Sequence, residues 1–153
     1  MITAIPIPDY DTVVAKLDEA IADRGADYIY ANENGLVPNG GLYDTTECQY
    51  VHHYGTPEQS IGCIVGLVLN KLGVTADSLR QAEGQNVIGF ALIYWGLFSY
   101  DGTRYSADPE VFGHHHGIVL LAFAQAKQDK GMPWGQAIAE AKEEMNDSET
   151  MAN

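Results

Sequence analysis

The sequence predicts a mainly α-helical fold with a small antiparallel β-ribbon, an α+β arrangement of about five to six helices around a central apolar helix at residues 60–72. Three observations predict it. Apolar residues recur at helical spacing in several windows, and two short alternating segments flank a glycine-rich stretch. Between Ser60 and Tyr100 the only charged residues are Lys71, Asp77, Arg80 and Glu83, so that stretch must supply much of the interior. A chain of 153 residues, 46% of them hydrophobic, carries enough apolar material for one ordinary core and too little length for two. One globular domain is expected over residues 1–145, followed by a tail at 146–153 that has nothing to bury and should fray.

Val13, Val14, Leu17 and Ile21 define the first helix, with Asp9 and Asp11 as capping residues and Gly25 where it would end. Residues 27–31 alternate with Tyr28 and Tyr30 on one side, and 47–52 with Cys48, Tyr50 and His52 on one side, which predicts two short strands. Between them, Asn34-Gly35 and Asn39-Gly40-Gly41 supply the positive backbone angles that tight turns need. The expectation is a ribbon with a long, glycine-rich tip.

Ser60 can cap the central helix, whose Ile61, Val65, Val68 and Leu72 follow one stripe while Ile64, Leu67 and Leu69 fill most of the remaining circumference. Gly62 and Gly66 lie four residues apart, as do Gly113 and Gly117, and the two pairs suggest a close approach of two helices. Gly73 ends the central helix. Thr75 opens a short helix through Glu83, and the apolar run 87–98 reads as helix on length, with a buried strand as the alternative. Residues 99–108 read as a polar loop. Asp108-Pro109 then opens a long helix to Lys130, and Gly131 with Pro133 ends it and starts the last one, whose buried stripe is Trp134, Ile138, Ala141 and Met145.

Twenty-one acids against 8 bases give a net charge of −13, which argues against direct nucleic-acid binding and against anionic membranes. The imbalance is concentrated early, because residues 1–58 hold ten acids and only Lys16 and Arg24. Residues 1–8 lack a basic segment and a long apolar run, and no apolar run reaches the roughly 20 residues of a membrane span, so a cytoplasmic protein is expected. Cys48 and Cys63 are then most simply reduced thiols.

Two stretches carry a family-like pattern. Tyr50-Val51-His52 precedes Cys63, Val65, Gly66, Leu69, Leu72 and Gly73, a Tyr-Val-His segment followed by Cys-x-Val-Gly-x-x-Leu-x-x-Leu-Gly. Ala124-Gln125, Gln128-Asp129, Gly131, Trp134-Gly135 and Ala137 form the second stretch, and together the two cover under half the chain. They resemble a loose group of uncharacterised small proteins of actinobacteria and their phages. The resemblance implies such a source and, being carried mostly by core and cap residues, implies no activity.

Two cysteine–histidine sets, a histidine run and, as a third kind of constellation, a surface are the candidates for function. With Ser60 as N-cap, Cys63 would sit at the third helical position, where free amides favour a thiolate, and His52 or His53 could serve as its base in a cysteine hydrolase. Cys48, His52, His53 and Cys63 together form a soft donor set that would suit zinc, although they lack the paired spacing of zinc ribbons. His114, His115 and His116 point about 100° apart on a regular helix and cannot share one ligand direction. The third constellation is a surface: Tyr43, Asp44, Glu47, Tyr50 and Tyr54 mix tyrosine with carboxylates, an interface composition.

The leading expectation is therefore a non-enzymatic acidic accessory protein, needing no cofactor, that binds a basic host protein through this tyrosine- and acid-bearing ribbon. The alternatives are the cysteine hydrolase or zinc-dependent site at Cys48, His52, His53 and Cys63, and a DNA mimic whose carboxylates imitate phosphates. The oligomeric state is left open, a homodimer included.

Overall fold

The computed structural model describes residues 5–39, 49–83, 90, 94–95, 98–100, 105–107 and 115–152. They form a mainly helical α+β fold, with helices α1 (Tyr10–Arg24), α2 (Ile64–Leu72), α3 (Ala76–Gln81), α4 (His116–Gln128) and α5 (Trp134–Ala152). Strands β1 (Val51–His52) and β2 (Ser60–Ile61) pair antiparallel, with Val51 opposite Ile61 and His52 opposite Ser60. A second antiparallel pair joins β3 (Phe98–Tyr100) to β4 (Tyr105–Ala107). Residues 99–108, read as a loop, thus hold paired strands at 99–100 and 105–107 instead, where Tyr100 and Tyr105, a residue type that favours strands, stand opposite each other.

Helix α1 begins where the Asp9 carboxylate accepts the Thr12 amide at 2.8 Å, and it ends at Gly25, whose φ of +95° suits glycine. Helix α2 is buried from Ile64 through Leu69 and lies against α1 and α4, while α5 packs on α4 and touches α1. Gly73 closes α2 in the left-handed region, and the Thr75 hydroxyl caps α3 by accepting the Ser78 amide at 3.1 Å. One hydrophobic cluster runs through these elements, with Val13, Leu17, Val65, Val68, Leu120 and Ile138 at its centre.

Residues 27–31 do not form the expected strand. Their alternation is present, since Tyr30 is buried while Asp27 and Ile29 are exposed. Their carbonyls, however, serve a helix rather than another strand: Tyr28 O accepts from Trp134 N and Ala26 O from Gly135 N, both at 2.8 Å. This extended segment satisfies the free amides at the start of α5.

The central helix starts later than expected. Residues 60–61 are taken by β2, and the Cys63 amide donates to Gln49 O at 2.9 Å, so Ser60 caps nothing and Cys63 becomes the N-cap. Its thiol makes no capping bond. The acceptor is Gln128 Oε1 at the end of α4, which receives the Ile64 amide at 2.8 Å and the Trp134 indole N–H at 3.2 Å.

The glycine pairs also face elsewhere. A methyl at Gly62 would meet Gln49 O at 2.2 Å and the His52 ring at 2.7 Å, and one at Gly66 would meet Tyr50 O at 2.9 Å. Gly117 lies against the carbonyls of Pro8 and Asp9, and Gly113 is outside the described residues. The close approach is of Gly62, just before α2, and Gly66, within it, to the 49–52 backbone, not of two helices.

Helix α4 starts at His116 after the non-helical His115, so the expected helical run from Pro109 does not pass through that point; residues 108–114 lie outside the description. Phe90 and Tyr94 are helical and Phe98 already belongs to β3, with the rest of 87–97, apart from Trp95, not described. The segment expected to fray is helical to Ala152, beyond the last buried residue of the stripe, Met145.

Candidate functional site

The amino-terminal half converges on β1, β2 and the loop 32–37. The Tyr30 hydroxyl lies 3.0 Å from His52 Nε2 and accepts the Gln49 amide at 2.9 Å. Gln49 Oε1 in turn accepts the Glu33 amide at 3.0 Å, and Glu33 Oε2 accepts the amide of His53 at 2.8 Å. The bond from the His53 amide, with a smaller contribution from the Gln49 side chain, holds the Glu33 carboxyl below its usual range. Burial of the ring pushes His52 below the usual histidine range. Beneath the ribbon, Glu83 accepts the Val51 amide at 2.9 Å, and burial raises its carboxyl above the usual value.

Arg24 is anchored inward from the end of α1. Its guanidinium donates to Gly62 O at 2.6 Å and to Ile61 O, and it lies over the rings of Tyr28 and Trp134 at 5.4 and 5.2 Å. An arginine fork fits two adjacent carbonyls in a way that a lysine cannot. It fixes the turn between β2 and α2.

The residues singled out from the sequence separate in this frame. Tyr50 is fully buried against Phe90 and is turned into the core rather than toward a partner, and its neighbour Val51 is buried with it, so no simple alternation of faces holds here. Tyr54 is exposed, and its hydroxyl donates to Asp77 while Arg80 lies over its ring. Tyr43, Asp44, Glu47 and Cys48 lie outside the described residues.

Cys63 is fully buried at the N-cap rather than at the third helical position, which removes the placement on which its nucleophilic role rested. His52 is engaged by Tyr30, and His53 is exposed on the left-handed turn that follows β1, with a φ of +52°. Among the described residues no group of three or more His, Cys, Asp or Glu side chains could hold a metal ion. His115 and His116 line an open cleft of about 360 Å³ with Asp9 and Asp11, where α1 and α4 begin. His114 lies outside the described residues.

Sequence reading missed several residues that organise this region. Arg24, Gln49 and Gln128 act through contacts of long sequence separation, for which periodicity gives no signal. Leu36 and Val37 were visible as two adjacent aliphatics between an Asn-Gly turn and a proline, and the structure leaves them 56% and 47% exposed. Among the described residues no helix is long and apolar enough to cross a membrane. No family model, curated protein or solved structure matches the chain.

Proposed function

We propose that the protein is a non-enzymatic acidic accessory protein that works in the cytoplasm and binds a basic host protein through the anionic face around β1, β2 and the loop 32–37. The phage or actinobacterial source implied by the sequence resemblance fits such a role. The observation that carries the reading is the fate of the two cations in residues 1–58. Arg24 is folded inward onto the carbonyls of Ile61 and Gly62, and Lys16 pairs with Glu19 at 2.9 Å. Lys71 and Lys142 pair with Asp23 and Asp18 on α1, while Asp27, Glu33 and Glu58 remain exposed, so the carboxylates turned to solvent give this face its negative sign. Such a face steers a basic partner by opposite charge and repels nucleic acid by like charge.

Tyr54 stays in the proposed contact, Tyr50 leaves it, and Tyr43, Asp44 and Glu47 are retained from the sequence. The test is affinity capture from an actinobacterial host extract at low and high salt, followed by binding kinetics of Asp27→Lys/Glu58→Lys against the retained protein. The expected result is a basic protein, released by salt, that associates several-fold more slowly with the variant. Retained proteins displaced by added DNA would replace this reading with the DNA mimic, and unchanged kinetics would remove it.

A further inference from the structure

We propose that Leu36 and Val37 form an apolar ledge within this acidic face, and that its occupant is a cationic amphipathic polypeptide segment, with aliphatic side chains on one side and lysines or arginines beside them. This rests on the acidic-face reading above and assigns its partner chemistry.

The loop that carries the ledge is held from within and from both ends. Asn32 Oδ1 accepts the amides of Asn34 and Leu36 at 2.9 and 3.0 Å, and the Asn32 amide donates to Leu36 O at 2.9 Å. Gly35, with a φ of +79°, makes the turn between them. Glu33 is tied to Gln49 and His53, while Pro38 is buried with its carbonyl against Gly131. Leu36 and Val37 are thus fixed outward by a hydrogen-bonded turn and cannot retract without breaking it. Aliphatic side chains presented on an ordered loop bind with little further loss of conformational entropy.

The surroundings select the occupant. Glu33 lies in the same turn, and Asp27 and Ile29 project from the extended segment leading into it, all three exposed. On the other side Val37 and the Pro38 carbonyl lie against Gly131, beside the exposed Lys130, so the ledge has one cationic edge and its carboxylates lie toward Glu33. Carboxylates beside aliphatics match a segment that offers both cations and apolar side chains. A second copy of the chain is opposed by a net charge of −13 on each molecule, as is a phosphate backbone.

The test uses the full chain and two synthetic peptides of equal length and equal lysine count, one a leucine–lysine amphipathic sequence and the other with glycine in place of leucine. Parent and Leu36→Ser/Val37→Ser are titrated with each at low and high salt, and melting temperature serves as the folding control. The double variant should bind the leucine–lysine peptide about tenfold more weakly than the parent, since buried apolar side chains near the middle of a contact carry most of its energy. Its affinity for the glycine–lysine peptide should be unchanged. If the double variant binds both peptides as the parent does, the ledge is overturned, while salt-sensitive binding of either peptide leaves the acidic face standing. Binding of neither peptide at low salt overturns both. A parent that sediments as a dimer, with a monomeric double variant, overturns the proposed occupant in favour of a second copy.

Discussion

Gln128 closes the helix that Ile64 begins, across 64 residues of chain, by accepting the Ile64 amide on its side-chain oxygen at 2.8 Å. The same oxygen receives the Trp134 indole, so one buried amide joins the ends of α4, α2 and α5. Gln128→Leu should therefore strand two buried donors and cost about 2–4 kcal/mol. Gln128→Glu keeps an acceptor beside the helix start but replaces the N–H that bonds Asp129 at 3.1 Å with a buried anion against that carboxylate, so it should also destabilise, and less so at acid pH, where the new carboxyl is protonated. Urea denaturation midpoints decide it: a leucine variant as stable as the parent would show that the cap contributes nothing.

The two glycines that face the 49–52 backbone differ in their context. Gly62 precedes α2, so Gly62→Ala gains no helix propensity and must displace the Gln49 carbonyl, at a cost of about 2–3 kcal/mol. Gly66 is inside the helix, where alanine recovers about 1 kcal/mol and offsets part of the crowding against Tyr50. The expected order of stability is parent, Gly66→Ala, Gly62→Ala. Equal midpoints for all three would mean that the ribbon does not lie so close to the helix.

Burial gives His52 a pH signature. The native ring is held below the ordinary value of 6.5, so on acidification the unfolded chain takes up the proton first. Stability from this group is full above about pH 7 and is lost as pH falls through 6.5 toward the native value. Glu83 acts with the opposite sign, because its raised carboxyl favours the native state as pH falls toward 4.5. In thermal melts taken from about pH 7.5 down to about pH 5.5, the parent should lose more stability than His52→Gln, with Glu83 common to both. Parallel slopes would contradict the assignment.

Local signals were legible in the sequence wherever a residue acts on its immediate neighbours. Asp9, Gly25, Gly73 and Thr75 cap or end helices at the positions read from the chain, and the apolar circumference of residues 64–69 announces the central helix. Where the partner is distant, the reading failed. Ser60 carries a good capping hydroxyl, but β1 claims its backbone, and the amide carbonyl that caps α2 comes from a glutamine that looks like any surface polar residue. Tyr50 reads as outward on composition, but a strand pattern leaves the sign of a face undetermined, and both Tyr50 and Val51 are buried, Tyr50 against Phe90. The acidic character of the candidate face came from counting. Its aliphatic ledge needed the exposure of Leu36 and Val37.

The Gln128 cap also bears on the order in which the chain can be completed. During synthesis α2 leaves the ribosome well before Gln128 does, and through that interval its first turn has no acceptor for the Ile64 amide. A product cut short before Gln128 would also lack Trp134 and Gly135, whose amides dock on residues 26–28, so α1 and α2 would have neither the lock nor the helix that locks them. Completion of residues 128–135, close to the end of synthesis, thus supplies the cap and the docking contacts that α1 and α2 need, and a product cut short before them is expected to leave this core unfinished and open to proteolysis.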